Sequence, residues 1–360
     1  MALRLPTAED LKRMAQMNHF ELNEEELAAF QELMPGLFEN FEQLEQMPEP
    51  RAPLKYRDRE PGFRPSRQED PLNAILRRCS LKGASSGKLA GKRFGLKNNI
   101  CVSGMPMTCG SLLLEDYVAD TDATIVTRLL DAGAEVTALL NLENFSFSGG
   151  GETSAFGPIL NPHNPEHLAS GSSGGSAAAL YYDDIDITIG ADQGGSIRMP
   201  ASWCGVVGLK ATFGLVPYTG IVGVDNTIDH VGPMARTVED AALTLEVIAG
   251  KDPLDPRQGD VPVQQYTEAL GQGVSGLRIG LLTEGFGTAL SEDDVDESVR
   301  KAINIFGELG AETTEVSIPN HRDAGAILWG LMGEGATAYI QSNGMGYHWP
   351  GLYNPGLTAS

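Results

Sequence analysis

Two glycine–serine segments flanking a short apolar run restrict what this chain can fold into more than any other feature. The first reads Ser170-Gly171-Ser172-Ser173-Gly174-Gly175-Ser176-Ala177-Ala178. The second reads Gly190-Ala191-Asp192-Gln193-Gly194-Gly195-Ser196-Ile197-Arg198-Met199-Pro200. Between them Ile185, Ile187 and Ile189 alternate as a strand does. A helix-opening loop, a strand and a strand-to-turn junction therefore follow one another, which is the pattern of an α/β layer structure. Two serines, Ser172 and Ser196, stand among these glycines 24 positions apart. Far upstream, Lys97 sits in Gly95-Leu96-Lys97-Asn98-Asn99-Ile100.

The remaining periodicity extends the same architecture. Arg93–Ile100 reads as a strand, Ala123–Ala132 as a helix and Glu135–Leu140 as a strand. A helix over 173–181 leads to the strand Ile185–Ile189. Thr237 with Asp240 caps a helix through Ala249. Leu277–Leu282, Asp293–Leu309, Glu312–Ile318 and Asp323–Ile340 read as strand, helix, strand and helix. This alternation predicts a central, largely parallel or mixed sheet covered by helices. Residues 1–47 differ. Thr7 with Asp10 and Asn23 with Glu26 each predict a helix start, and Pro35-Gly36 predicts a break before a third helix. The prolines at 48, 50, 53, 61, 65 and 71 read as a linker. The expected organisation is a small all-α N-terminal extension with linker over 1–70, then an α/β domain over 71–360.

Composition narrows the function. The 360 residues carry a formal net charge of -22, which disfavours binding to a phosphate backbone or an anionic membrane. No apolar run approaches the roughly 20 residues of a spanning helix, and no basic-then-apolar leader opens the chain, so a cytoplasmic location is expected. Cys79, Cys101, Cys109 and Cys204 show no paired spacing and read as free thiols. His163 and His167, with Glu143, Glu152 and Glu166, show no metal-ligand spacing. Neither a metal nor another cofactor is expected.

The chemistry-bearing residues admit two readings each. Gly194-Gly195 permits a turn that aims successive N–H groups at one point, where an oxyanion would be stabilised, with Ser196 placed to attack. The same residues also make a common strand-to-helix turn with a capping serine. Ser173 matches Gly-x-Ser-x-Gly, but no strand precedes it, as a nucleophile elbow would need. No Gly-Lys-Ser/Thr follows, so a phosphate loop is excluded as well. Lys97 is either an exposed edge-strand lysine or a buried one that loses its proton and becomes a general base. Asp229-His230 cannot easily orient one another if extended, which argues against a Ser–His–Asp array.

Together these segments resemble the amidase signature family. The glycine–serine loop 171–179, the run Gly190-x-Asp192-x-Gly194-Gly195-Ser196-Ile197-Arg198-x-Pro200-Ala201, Gly205-Val206-Val207-Gly208-Leu209-Lys210 and Asp229-His230-Val231-Gly232-Pro233-Met234-x-Arg236-Thr237 carry the likeness. It is specific over about 92–250 and weaker over 277–340. Among members the chain looks closest to the bacterial nitrile-pathway amidases of Rhodococcus type, which also carry a helical N-terminal extension. The resemblance implies the amidase signature fold and a Ser–cisSer–Lys triad. Ser196 would be the acylated nucleophile, Ser172 the bridging serine after a cis peptide, and Lys97 the base. The N–H groups of Gln193, Gly194, Gly195 and Ser196 would form the oxyanion hole, and the backbone at Ser146 would line the acyl site. It implies hydrolysis of small carboxamides to carboxylate and ammonia or amine, with no cofactor and no nucleic-acid or membrane partner. A homodimer through the N-terminal helices is expected. Carbamate hydrolysis, amidotransferase-like acyl transfer and a non-catalytic role are the alternatives. The chain departs from the pattern at Ser170, where glycine is usual, at Asn98, where aspartate is usual, and at Ala211, where proline is usual. It also ends before the family's last strands, so a C-terminally shortened domain is expected.

Overall fold

A computed structural model describes residues 4–48 and 53–342, with side chains described to residue 338. The chain divides into two compact units, 1–53 and 54–360.

The first unit holds two helices, α1 (Ala8–Met17) and α2 (Glu24–Glu45). Both begin in the expected capping boxes, in which Thr7 and Asp10, and Asn23 and Glu26, bond each other's backbone N–H. Leu11, Ala15 and Leu27 are buried. The expected break at Pro35 does not occur, and α2 runs through it as one helix. Proline fixes φ near the helical value, and its missing N–H removes only one rung of a long ladder.

The second unit is built on a seven-stranded mixed sheet. Its strands are β1 (Arg59–Phe63), β2 (Ile75–Lys82), β3 (Arg93–Lys97), β4 (Glu135–Leu140), β5 (Ile187–Asp192), β6 (Val207–Gly208) and β7 (His230–Ala235). They lie in the order β1-β2-β4-β3-β5-β7-β6. The three central strands β4, β3 and β5 run parallel, and the flanking pairs are antiparallel. Part of the proline-rich stretch read as linker is therefore sheet, because Arg59 and Glu60 pair with Leu81 and Ser80. Residues 49–52 of that stretch lie outside the described residues. Arg59 is fixed further by a buried, two-bond ion pair with Asp122 at 2.6 and 2.7 Å.

Both faces of the sheet are covered. On β4, Val136 and Leu139 join one apolar cluster with Phe94, Ile125, Leu129 and Leu245, while Ala138 and Leu140 join another with Ala177, Ala178 and Ile197. The first is roofed by α3 (Thr124–Asp131) and α6 (Val238–Ile248), and the second by α4 (Gly174–Ala178) and α5 (Arg198–Cys204). A smaller parallel pair follows, β8 (Arg278–Leu282) and β9 (Glu312–Val316), linked by α7 (Asp293–Glu308). Helix α8 (Ala324–Ser342) comes last.

Candidate active site

The parallel centre of the sheet places the site. Strands β4, β3 and β5 all end at the same edge, where Lys97 pairs with Leu140 and Leu96 with Ile189. The carboxyl ends of parallel strands are where open α/β sheets gather their functional loops. Lys97 ends β3, residues 141–146 follow β4, and residues 193–196 follow β5. The loop that carries Ser172 leads into α4 over the same edge.

Lys97 is completely buried, and its amine donates to Ser172 Oγ at 2.6 Å. Among the described residues no carboxylate lies within ion-pairing distance of it. Burial pushes its pKa down to about 7, against the opposing pull of Asp192, Glu143, Cys109 and Asp229. An amine so placed is neutral over a useful pH range and can take a proton from Ser172. The peptide bond Gly171–Ser172 is cis.

Ser196 is buried as well. The N–H of Ser173, the residue after Ser172, donates to the Ser196 carbonyl at 3.2 Å, so the two serine loops meet at one backbone junction. The Ser173 hydroxyl in turn bonds both the carbonyl and the N–H of Ala191 on β5. Ser173 is thus a tie between loops, in keeping with its exclusion as an elbow nucleophile.

Asp192 shapes the turn that carries Ser196. Its buried carboxylate accepts from Gly195 N–H at 2.8 Å, from Ile197 N–H at 3.1 Å and from the Arg198 guanidinium at 2.9 and 3.0 Å. Burial alone would raise its pKa. The Arg198 bonds and the backbone donors outweigh that and hold it below the usual value. Gly195 adopts φ 136°, where a side chain is strained, and a Cβ there would press on Met199. Of the four N–H groups expected to face an oxyanion, that of Gly195 is held by Asp192. Those of Gln193, Gly194 and Ser196 have no protein partner among the described residues. Gln193 sits beneath them, donating from Nε2 to Tyr218 OH at 3.1 Å. Gly194 abuts Leu328 of α8.

Ser146 lies in a single 3-10 turn after β4 with φ 60°, its N–H on the Glu143 carbonyl. Its hydroxyl is buried without a partner among the described residues. Beside this turn an apolar cluster of Met107, Cys109, Phe145, Phe147, Val224 and Met332 packs together with Leu328. Among the described residues no histidine joins the site. Asp229 takes the N–H of Val224, and His230 Nδ1 lies 2.7 Å from the Ile228 carbonyl. His163 is held by the Cys204 carbonyl and Tyr181.

The family model described as Amidase matches residues 71–348. This chain belongs to the amidase signature family. A glutamyl-tRNA(Gln) amidotransferase chain from Salinibacter ruber is 44% identical over 255 residues, covering 71% of this chain and 49% of that protein. An enantioselective amidase from Rhodococcus rhodochrous is 42% identical over 300 residues, covering 81% of this chain and 57% of that one. The crystal structure of the corresponding amidotransferase chain from Thermotoga maritima matches with a TM-score of 0.70 at 33% identity, covering 78% of this chain and 61% of that one. The chain spans about half the length of the curated relatives it matches.

Two departures from the amidase pattern have a local reading. Ser170 adopts φ 65°, the region that favours glycine, and its hydroxyl donates to the Gly149 carbonyl at 2.8 Å. Asn98 donates to the Pro106 carbonyl at 3.0 Å and accepts from Thr108 N–H and Oγ1 at 2.7 and 3.0 Å. An aspartate would lose the first of these bonds. Nothing in the structure explains Ala211.

Sequence reasoning misses the clamp on Asp192 and the partners of Glu143. Asp192 is legible only as a signature letter, because its role appears once the turn folds back over it. Glu143 stands in the sequence with no metal-ligand spacing and no other local signal.

Proposed function

We propose that this chain is a serine amidohydrolase that cleaves small carboxamides to carboxylate and ammonia or amine through Lys97, Ser172 and Ser196. The observation that carries the reading is the 2.6 Å bond from a fully buried Lys97 amine, with no carboxylate at ion-pairing distance among the described residues, to Ser172 Oγ. Neutral Lys97 accepts the Ser172 proton as Ser172 accepts that of Ser196. Ser196 Oγ bonds to the carbonyl carbon, and the oxyanion meets the free N–H groups around Gly194. Collapse breaks the C–N bond, and the proton returns through Ser172 to the leaving amine. Water then repeats the attack on the acyl ester and releases the carboxylate.

The cluster of Phe145, Phe147, Val224 and Met332 supports an apolar acyl group. The buried acids Asp192, Glu143 and Asp229 around Lys97 disfavour an anionic one. The similarity to an amidase over 81% of the chain favours this reading. Similarity to an amidotransferase chain favours a second, in which the same acyl chemistry serves a partner protein. The first reading puts the protein in the cytoplasm as a homodimer, with Phe30, Leu33, Leu37 and Leu44 exposed along α2 for self-association. No described helix is long and apolar enough to cross a membrane.

The test is a fluorophosphonate adduct. Mass mapping is expected to find it on Ser196 of the purified chain, with hydrolysis of neutral aryl and aliphatic amides. A folded chain that takes no label refutes the hydrolase reading. Ammonia transfer that requires a second protein favours the transferase.

A further inference from the structure

Glu143 is buried at the sheet's catalytic edge, yet none of the chemistry above uses it. Its backbone and its side chain both reach the Ser172 loop. The Glu143 N–H donates to the Ser172 carbonyl at 3.2 Å. The side chain lies flat on the α-carbon of Gly171, where an added Cβ would be 2.6 Å from Glu143 Cγ and 2.7 Å from Oε1. The carboxylate then anchors the opposite loop. Oε2 accepts from Thr153 N–H at 2.8 Å and from Thr153 Oγ1, and Oε1 accepts from Gly151 N–H. Thr153 Oγ1 also receives the Asn144 N–H at 3.2 Å. The Glu143 side chain therefore fastens the 151–153 loop and packs on Gly171, its backbone N–H holds the Ser172 carbonyl, and Thr153 carries the link on to the turn of Ser146.

We propose that Glu143 is a positioning residue that holds Ser172 for its exchange with Lys97, and whose charge tunes how readily Lys97 gives up its proton. The proposal rests on the hydrolase reading above. Glu143 acts through other groups and touches no reacting atom. Burial pushes its carboxyl up to about 7, against the pull of the Thr153 and Gly151 donors, so it changes charge in the same range as Lys97. Four groups face Lys97. Asp192, the strongest of them, is ion-paired with Arg198, and Asp229 accepts from Val224 N–H and faces Arg257. The Cys109 thiol is pushed high by burial and stays neutral. Glu143 has no ion-pair partner among the described residues, and it is itself faced by Glu152 and Lys97.

The experiment measures the rate of fluorophosphonate labelling of Ser196 against pH in the full chain, for wild type, Glu143→Gln, Thr153→Val and Thr153→Ser. In wild type the rate rises with pH as Lys97 loses its proton. Glu143→Gln is expected to lower the plateau on the order of tenfold and to move the rising limb about half a pH unit or more toward acid, since a negative neighbour has been removed. A residue that only supported the fold would lower the plateau and leave the limb in place. Thr153→Val removes one donor from Glu143 with little change of shape. It is expected to move the limb the same way, while Thr153→Ser keeps the hydroxyl and the wild-type profile. The Thr153 pair decides the matter should Glu143→Gln not fold. A labelled wild type with unmoved limbs in the variants overturns this proposal alone. An unlabelled wild type overturns the hydrolase reading, and this with it.

Discussion

Ser173 donates its backbone N–H to the carbonyl of Ser196 at 3.2 Å, and that bond joins the loop that carries Ser172 to the loop that carries Ser196. The two hydroxyl-bearing segments are therefore set against each other by main-chain geometry. Lys97 enters the same junction from β3 through Ser172 Oγ. Side-chain substitutions here should remove chemistry while leaving the scaffold in place.

Ser196→Ala is expected to abolish labelling and to lower turnover on the order of 10⁴-fold or more, and Ser172→Ala to a comparable extent, since members of a relay act as one unit. Circular dichroism should remain unchanged. Combining the two should add little to either alone, and a multiplicative loss would contradict the shared relay.

Lys97→Met separates catalysis from stability. The lysine's folded pKa, about 7, lies below its ordinary 10.5, so the unfolded chain binds more protons between those values and stability rises with pH across that window. Below about pH 7 wild type bears the full cost of a buried charge. The methionine variant, though inactive, is then expected to be more stable by roughly 5 kcal/mol, with the gap shrinking as pH rises above 7. Urea melts at several pH values check both the sign and the window.

Asp192→Asn should disorganise the nucleophile turn. It weakens the hold on Gly195 and Ile197 N–H and leaves the Arg198 guanidinium without its countercharge. A loss of about 3 kcal/mol in stability and on the order of 10²-fold in turnover is expected. Retained turnover with a normal melt would show that the turn holds its shape without the carboxylate.

Asn98→Asp brings a negative charge next to Lys97, favouring the protonated amine. The rising limb of the pH–rate profile is expected to shift to higher pH. The variant also loses the bond to the Pro106 carbonyl, so a modest drop in melting temperature should accompany it. A limb that stays in place would mean that Asn98 serves only the loop over 106–108.

Local signals are the readable ones. The capping boxes of α1 and α2, the alternating run of β4 and the caps on α6 stand in the sequence because each depends on residues within a few positions. Strand β2, Ile-Leu-Arg-Arg-Cys-Ser-Leu-Lys, hides behind adjacent charges that are accommodated by β1 and by Asp184. Strand β7 contains Gly232 and Pro233, which locally argue against a strand, and forms because β5 pairs with it along its whole length. Lys97, Ser172 and Ser196 stand out through motif resemblance, whereas the partners of Asp192 become partners only once its own turn closes, and those of Glu143 lie on a following loop eight and ten positions on.

The lysine and the bridging serine stand 75 positions apart along the chain. A nascent polypeptide emerging from the ribosome consequently carries no working centre when β3 appears, nor when β4 does. The buried edge that holds both residues is complete only once β5 has slotted in beside β3 and the turn after it has closed.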